Sequence, residues 1–219
     1  MQRPLQLPRL YAIIDAGMFA KEKDAALAIA RFAEELIAGG AILIQYRNKS
    51  GNGPQMLSQA RELRRATMGA TGVGAALIMN DRADLCLAAG FEGVHVGQDD
   101  LSPTGARAVV GNERLVGVST HDPEQLAAAD ASDADYVAIG PVFPTSTKER
   151  PDPVVGLEGV RRARAATRKP LVAIGGITLE RMPEVLAAGA DSVAVISDIF
   201  KFPDFGSRAK QFLETAARV

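Results

Sequence analysis

Residues 171–197 read Leu171-Val172-Ala173-Ile174-Gly175-Gly176-Ile177-Thr178-Leu179-Glu180-Arg181-Met182-Pro183-Glu184-Val185-Leu186-Ala187-Ala188-Gly189-Ala190-Asp191-Ser192-Val193-Ala194-Val195-Ile196-Ser197. Two short apolar runs, Leu171 to Ile174 and Ser192 to Ile196, enclose a segment that opens at Thr178 and ends near Gly189. Neither run alternates polar with apolar residues, so each predicts a strand buried on both faces, as in a parallel sheet covered by helices. The segment between them predicts the helix that carries the chain from one parallel strand to the next.

The same unit recurs back to the N-terminus. Leu10 to Ile14, Ile42 to Ile44, Ala75 to Met79, Val94 to Val96, Leu115 to Val118 and Tyr136 to Ile139 read as six earlier strands. Helices are expected over Asp24 to Ala38, Pro54 to Met68, Asp81 to Ala89, from Ser102-Pro103, from Asp122-Pro123 and over Leu157 to Thr167, with a last one within Asp198 to Ala217. Ser102 and Asp122 each place a capping side chain before a proline at the first helical position, and Gln125 stands at the capping-box position. Eight βα cycles in 219 residues predict a single-domain α/β fold, the (β/α)8 TIM barrel, with its core over about 10–217. An open doubly wound sheet is the alternative, but no Gly-x-Gly-x-x-Gly follows the first strand.

Apolar residues form 47% of the chain and charged residues 23%, enough for a core without metal or disulfide staples. A net charge of -1 with no basic block argues against nucleic acid or an acidic membrane surface as partner. One cysteine, Cys86, excludes an internal disulfide. The start lacks a signal-peptide pattern and no apolar run approaches 18 residues, so a cytoplasmic protein is expected, with a homo-oligomer left open.

In such barrels the chemistry sits at the C-terminal ends of the strands. After the second strand come Gln45, Tyr46, Arg47, Asn48 and Lys49; an Arg and a Lys on one face suit a diphosphate, the one forking bidentately and the other a compact charge. Asn80-Asp81 follows the third strand and Gly97-Gln98-Asp99-Asp100 the fourth. Asp81 alone reads as a helix cap and Asp99-Asp100 as an acidic turn, but carboxylates on neighbouring strand ends together favour a Mg²⁺ site. Ser119, His121 and Asp122 follow the fifth strand on one turn, a poor nucleophilic triad because Asp122 is needed as a cap; Ser119 better suits a substrate hydrogen bond. His95, between two valines, reads as a hydrogen-bonded core histidine. The proline-rich loop from Gly140 to Gly156 carries Thr145, Ser146, Thr147 and Lys148, three hydroxyls and a cation that suit a phosphate. Gly175-Gly176 after the seventh strand and Ser197 after the eighth suit a second phosphate held by backbone N–H groups.

These residues resemble a known family. Gln45-x-Arg47-x-Lys49, Asn80-Asp81, His95-x-Gly97-Gln98-x-Asp100, Ser119-x-His121, Gly140-Pro-Val-Phe-Pro-Thr-x-Thr-Lys148, Ile174-Gly-Gly-Ile177 and Val195-Ile196-Ser197 resemble the motifs of thiamine-phosphate synthases, in order, over roughly Leu10 to Phe200. The resemblance implies a transferase that joins hydroxymethylpyrimidine diphosphate to a thiazole phosphate, plain or carboxylated, releasing pyrophosphate by a dissociative route. It implies that Gln45 to Lys49, Asn80, Ser119 and Lys148 hold the pyrimidine diphosphate, with Arg47, Lys49, Ser119 and Lys148 taking part in catalysis. It implies Asp81 and Asp100 as ligands of one Mg²⁺ per subunit, and Thr145 to Thr147, Gly176, Ile196 and Ser197 as the thiazole-phosphate site. Tyr46 and Asn48 depart from the commoner Leu and acidic residue of the first motif, so side-chain roles for those two are in doubt. The alternatives are the sister family of thiazole tautomerases, in which His121 would act as acid or base, and a non-catalytic barrel that binds phosphate ligands.

Overall fold

Successive strand residues point to opposite faces of a sheet, and in the computed structural model this sorts the apolar runs into two separate cores. Residues 5–69, 74–145 and 152–219 are described. The strands are β1 (Leu10–Asp15), β2 (Leu43–Arg47), β3 (Ala76–Asn80), β4 (Gly93–Val96), β5 (Leu115–Thr120), β6 (Tyr136–Ile139), β7 (Leu171–Ile174) and β8 (Ser192–Val195). All neighbours pair in parallel and β8 pairs back onto β1, closing the barrel. The open-sheet alternative is thereby excluded.

One core fills the barrel, formed by Tyr11, Ile13, Leu43, Ile78, Tyr136, Ala138, Val172 and Ala194. The other lies between strands and helices, with Ile14, Ile44, Leu77, Val94, Val137 and Val193 facing outward against Leu36, Leu63, Cys86, Val160 and Phe212. Continuous apolar runs therefore serve both faces at once. Cys86 belongs to the outer core, where burial raises its thiol to about 11.

The helices are α1 (Ala25–Ala38), α2 (Gly53–Gly69), α3 (Ala83–Ala89), α4 (Pro103–Val110), α5 (Pro123–Asp130), α6 (Gly156–Ala166), α7 (Met182–Ala187), α8 (Ser197–Phe200) and α9 (Phe205–Ala216). The caps expected at Ser102 and Asp122 are present, accepting from Gly105 N and Gln125 N. Three helices differ from expectation by more than one residue at the start or by a break, two of them because of proline. A helix from Thr178 would carry Pro183 past its first turn, where the missing N–H breaks an i→i−4 bond; α7 instead begins at Met182, with Pro183 in its first turn. The final helix is split: α8 ends at Phe200, Pro203 follows, and Asp204 caps α9 by accepting from Ser207 N at 2.8 Å. The third helix starts at Ala83 rather than Asp81, with Arg82 at its N-cap position and no side-chain cap. A short 3₁₀ turn, Ala16–Phe19, was not anticipated. Among the described residues no helix is long and apolar enough to cross a membrane.

Candidate active site

The C-terminal strand ends enclose a cavity of about 480 Å³. Gln45, Arg47, Lys49, Asn80, Asp81, Asp100, Ser119, Thr145, Gly176, Ile196 and Ser197 all line it. They come from the ends of seven strands, β2 to β8, so closure of the barrel, not local sequence, brings them together. Ser146, Thr147 and Lys148 lie outside the described residues.

Strand alternation divides the first motif. Leu43 and Gln45 point into the barrel and Arg47 follows at the cavity wall, whereas Tyr46 and Asn48 face α2. Tyr46 Oη donates to Gln59 Oε1 at 2.5 Å, and Asn48 Nδ2 donates to the same Oε1 at 2.9 Å. Burial lifts the Tyr46 phenol to about 12. Of the five consecutive residues assigned to the pyrimidine diphosphate, these two therefore turn their side chains away from the cavity and brace β2 against α2.

Each cation of the wall already has a carboxylate. Arg47 bridges to Asp15 at the end of β1. Lys49 Nζ lies 2.5 Å from Asp81 Oδ2. Asp81 itself stands at φ 62°, a left-handed conformation uncommon outside glycine, and it caps no helix. Burial raises its pKa, a hydrogen bond from Lys49 lowers it, and the adjoining Asp100 carboxyl raises it again. Asp100 is anchored in turn, its Oδ2 accepting from Gly97 N at 2.8 Å. Two adjoining carboxyls are hard oxygen donors, and once ionised they would suit Mg²⁺ together with phosphate oxygens. Next to them Asn80 Nδ2 is buried with no partner among the described residues. Buried amides without partners are rare, and one on the cavity wall fits a ligand oxygen.

The opposite side is built from loops packed on one another. Val142 N and Phe143 N donate to Ile174 O and Gly175 O, and Val155 N donates to Pro141 O, so the base of the 140–156 loop is tied to the end of β7 and to itself. Gly176 lies under that loop at φ 63°, where an added Cβ would sit 2.6 Å from Pro144 O. Only glycine meets both demands. Arg181 donates to Gly176 O at 2.8 Å while stacking on Phe143.

A file of polar side chains crosses the barrel below the cavity. Gln45 Nε2 donates to Tyr11 Oη (2.9 Å), Tyr11 Oη meets Tyr136 Oη (3.0 Å), Tyr136 Oη meets His95 Nδ1 (3.1 Å), and His95 Nε2 meets Ser119 Oγ (2.9 Å). His95 is the buried, hydrogen-bonded histidine expected, yet it also lines the cavity. Desolvation lowers its pKa to about 4, so it is neutral at pH 7. Ser119 is thus joined to His95, not to His121, whose Nδ1 hydrogen-bonds Gly140 O at 2.6 Å while Nε2 faces Asp152 at 3.4 Å. The triad Ser119–His121–Asp122 does not form. Tyr11, Asp15, Tyr136 and Asp152 carried no functional signal in the sequence; Tyr11 and Tyr136 look like ordinary apolar-run residues until the barrel closes.

Comparison with known proteins bears on the family and the fold. A family profile described as thiamine monophosphate synthase matches residues 10–199. A protein of Koribacter versatilis named thiamine-phosphate synthase is 57% identical over 214 residues, 98% of each chain. One of that name from Chloroflexus aurantiacus is 41% identical, covering 93% of this chain and 90% of that one. A solved structure described as thiamine phosphate pyrophosphorylase from Pyrococcus furiosus superposes with a TM-score of 0.82 at 30% identity, covering 96% of both chains.

Proposed function

The chain belongs to the thiamine monophosphate synthase family and is a transferase of thiamine biosynthesis, and from that premise we propose how its cavity joins two substrates. One observation carries the proposal: Gln45, Arg47, Lys49, Asn80 and Ser119 from the set assigned to a diphosphate line one cavity together with Thr145, Gly176, Ile196 and Ser197 from the set assigned to a monophosphate. Hydroxymethylpyrimidine diphosphate lies against Gln45, Arg47, Lys49, Asn80 and Ser119, with Lys148 added from the loop. Thiazole phosphate lies against Thr145, Ser146, Thr147, Gly176, Ile196 and Ser197. The side chains of Tyr46 and Asn48 face α2 and take no part in holding the diphosphate.

Asp81 and Asp100 would hold Mg²⁺, which when bound supplies positive charge to the diphosphate oxygens. The bond between the pyrimidine methylene and the bridging oxygen breaks with its electron pair leaving on pyrophosphate. Arg47 and Lys49, held in place beforehand by Asp15 and Asp81, stabilise the charge that develops on that leaving group. Asn80 Nδ2 donates a further hydrogen bond to it. The thiazole nitrogen then gives its lone pair to the methylene carbon, forming thiamine phosphate; a carboxylated thiazole also loses CO₂. The apolar part of the wall, Ile13, Ala138, Val172, Ile174, Ala194 and Ile196, keeps water from capturing the cation first.

A tautomerase needs no diphosphate site, so the paired acids and cations would have no purpose in that role. A cytoplasmic location accompanies the proposed reaction. The test is product formation: both substrates together should yield thiamine phosphate and pyrophosphate one to one, and binding of both without turnover would leave only a ligand-binding barrel.

A further inference from the structure

We propose that Tyr11 and Tyr136 are positioning residues that couple the hydrogen-bond polarity of Gln45 to that of Ser119 across the barrel. The inference rests on the pyrimidine being held at Gln45 and Ser119, and adds two residues that the proposed reaction does not use.

The coupling follows from counting protons along the file. Gln45 Nε2 donates to Tyr11 Oη, so the Tyr11 proton is directed to its other partner, Tyr136 Oη, 3.0 Å away. The Tyr136 proton then goes to His95 Nδ1. His95, neutral, carries its one ring proton on Nε2 and donates it to Ser119 Oγ. The Ser119 proton is left for the cavity, while Gln45 Oε1 has no protein partner among the described residues and belongs to a residue lining the same cavity. The cavity thus presents an acceptor at Gln45 and a donor at Ser119. Turning the Gln45 amide over reverses every bond in the file and exchanges the two ends together. In neither orientation do both ends present the same character. A ligand edge with a donor beside an acceptor, such as the amino group and ring nitrogen of a 4-aminopyrimidine, matches that rule.

The file is built into the barrel. Tyr11 and Tyr136 are buried, in edge-to-face contact with centroids 6.1 Å apart. The Tyr136 ring crosses β5 where residue 117 has no side chain; a Cβ there would lie 2.1 Å from Tyr136 Cζ and 2.4 Å from its Oη. A tyrosine hydroxyl needs a partner when buried, and each of these finds its partners only within the file.

The test uses the full chain with Tyr11→Phe, Tyr136→Phe and the double variant. The chain has two histidines, so ¹⁵N spectra of histidine-labelled protein report the His95 tautomer directly. Wild type should show one neutral tautomer at His95, and Tyr11→Phe, which does not touch His95, should turn it into a mixture. With the aminopyrimidine diphosphate, kcat/KM should fall about tenfold in either single variant, the order expected for a misdirected buried hydrogen bond, with KM for thiazole phosphate unchanged. The double variant should fall no further than the singles, because one cut already uncouples the ends. An unchanged His95 tautomer in Tyr11→Phe, or losses that multiply in the double variant, would overturn the coupling. Failure of wild type to bind the aminopyrimidine diphosphate would instead overturn the assigned substrate, and the ¹⁵N result would still decide the coupling. Should Tyr136→Phe not fold, Tyr11→Phe carries both readouts alone.

Discussion

Lys49 Nζ stands 2.5 Å from Asp81 Oδ2, and the same Asp81 carboxyl is pressed by Asp100. One cation and two acids from β2, β3 and β4 thereby form a single charged group at the cavity wall. A divalent cation on the two acids would relieve their repulsion and free Lys49 for the leaving diphosphate.

Replacement of Asp100 by Asn therefore removes charge where the metal is proposed to be held, without changing side-chain shape. Turnover should drop at least about 10²-fold, on the order of 2.7 kcal/mol of transition-state stabilisation, and half-saturation should need more Mg²⁺. A Mg²⁺ titration of initial rate checks this; an unaltered curve removes Asp100 from the metal site.

Asn80 Nδ2 is buried with no partner among the described residues, which costs about 1–3 kcal/mol unless a ligand satisfies it. Asn80→Leu should accordingly raise the stability of the ligand-free protein in urea unfolding by about 1 kcal/mol while lowering kcat/KM for the diphosphate substrate. A variant both less stable and fully active would show that the amide serves the fold and not the ligand.

Gly176→Ala puts a Cβ 2.6 Å from Pro144 O at a φ of 63°. The loop base must shift, and KM for thiazole phosphate should rise about tenfold, an effect of roughly 1.4 kcal/mol. Dissociation of the pyrimidine diphosphate, measured by calorimetry, should stay as in wild type. Equal weakening of both substrates would mean that the two halves of the cavity are not separate.

His95 gives a pH prediction. Burial lowers its pKa in the folded protein to about 4 from the ordinary 6.5. As pH falls, the unfolded chain takes up that proton first, so the folded state loses stability relative to it between about pH 6.5 and 4, and nothing above. The loss amounts to about 3 kcal/mol across that window. The difference in unfolding free energy between wild type and His95→Gln should change by that order from pH 7 to pH 4, with wild type falling faster. Parallel curves would show that His95 is not desolvated.

Strand positions and most of the cavity lining were legible because a closed parallel barrel imposes a simple rule: polar residues following an apolar run arrive at one rim. Arg47, Lys49, Asn80, Asp81, Asp100, Gly176 and Ser197 all obey it. Period-two alternation also explains the part of the first motif that was overextended. Five consecutive residues cannot all face a cavity, and Tyr46 and Asn48 are those on the far side. Pairings across the barrel were not legible. Nothing in the chain ties Arg47 to Asp15, or Tyr11 on β1 to Tyr136 on β6, until ring closure brings residues 125 positions apart within 3.0 Å. One helix start was misplaced where Pro183, five residues past Thr178, decided the boundary, and Pro203 parts the last helical stretch into α8 and α9.

In the proposed condensation Mg²⁺ and the wall cations assist departure of pyrophosphate. The most direct measurement is the formation of thiamine phosphate from hydroxymethylpyrimidine diphosphate and thiazole phosphate by metal-stripped protein, followed before and after addition of Mg²⁺. Product should be absent before the addition and should then accumulate with one pyrophosphate per thiamine phosphate. Product at the same rate without Mg²⁺, or none after its addition, would contradict the account.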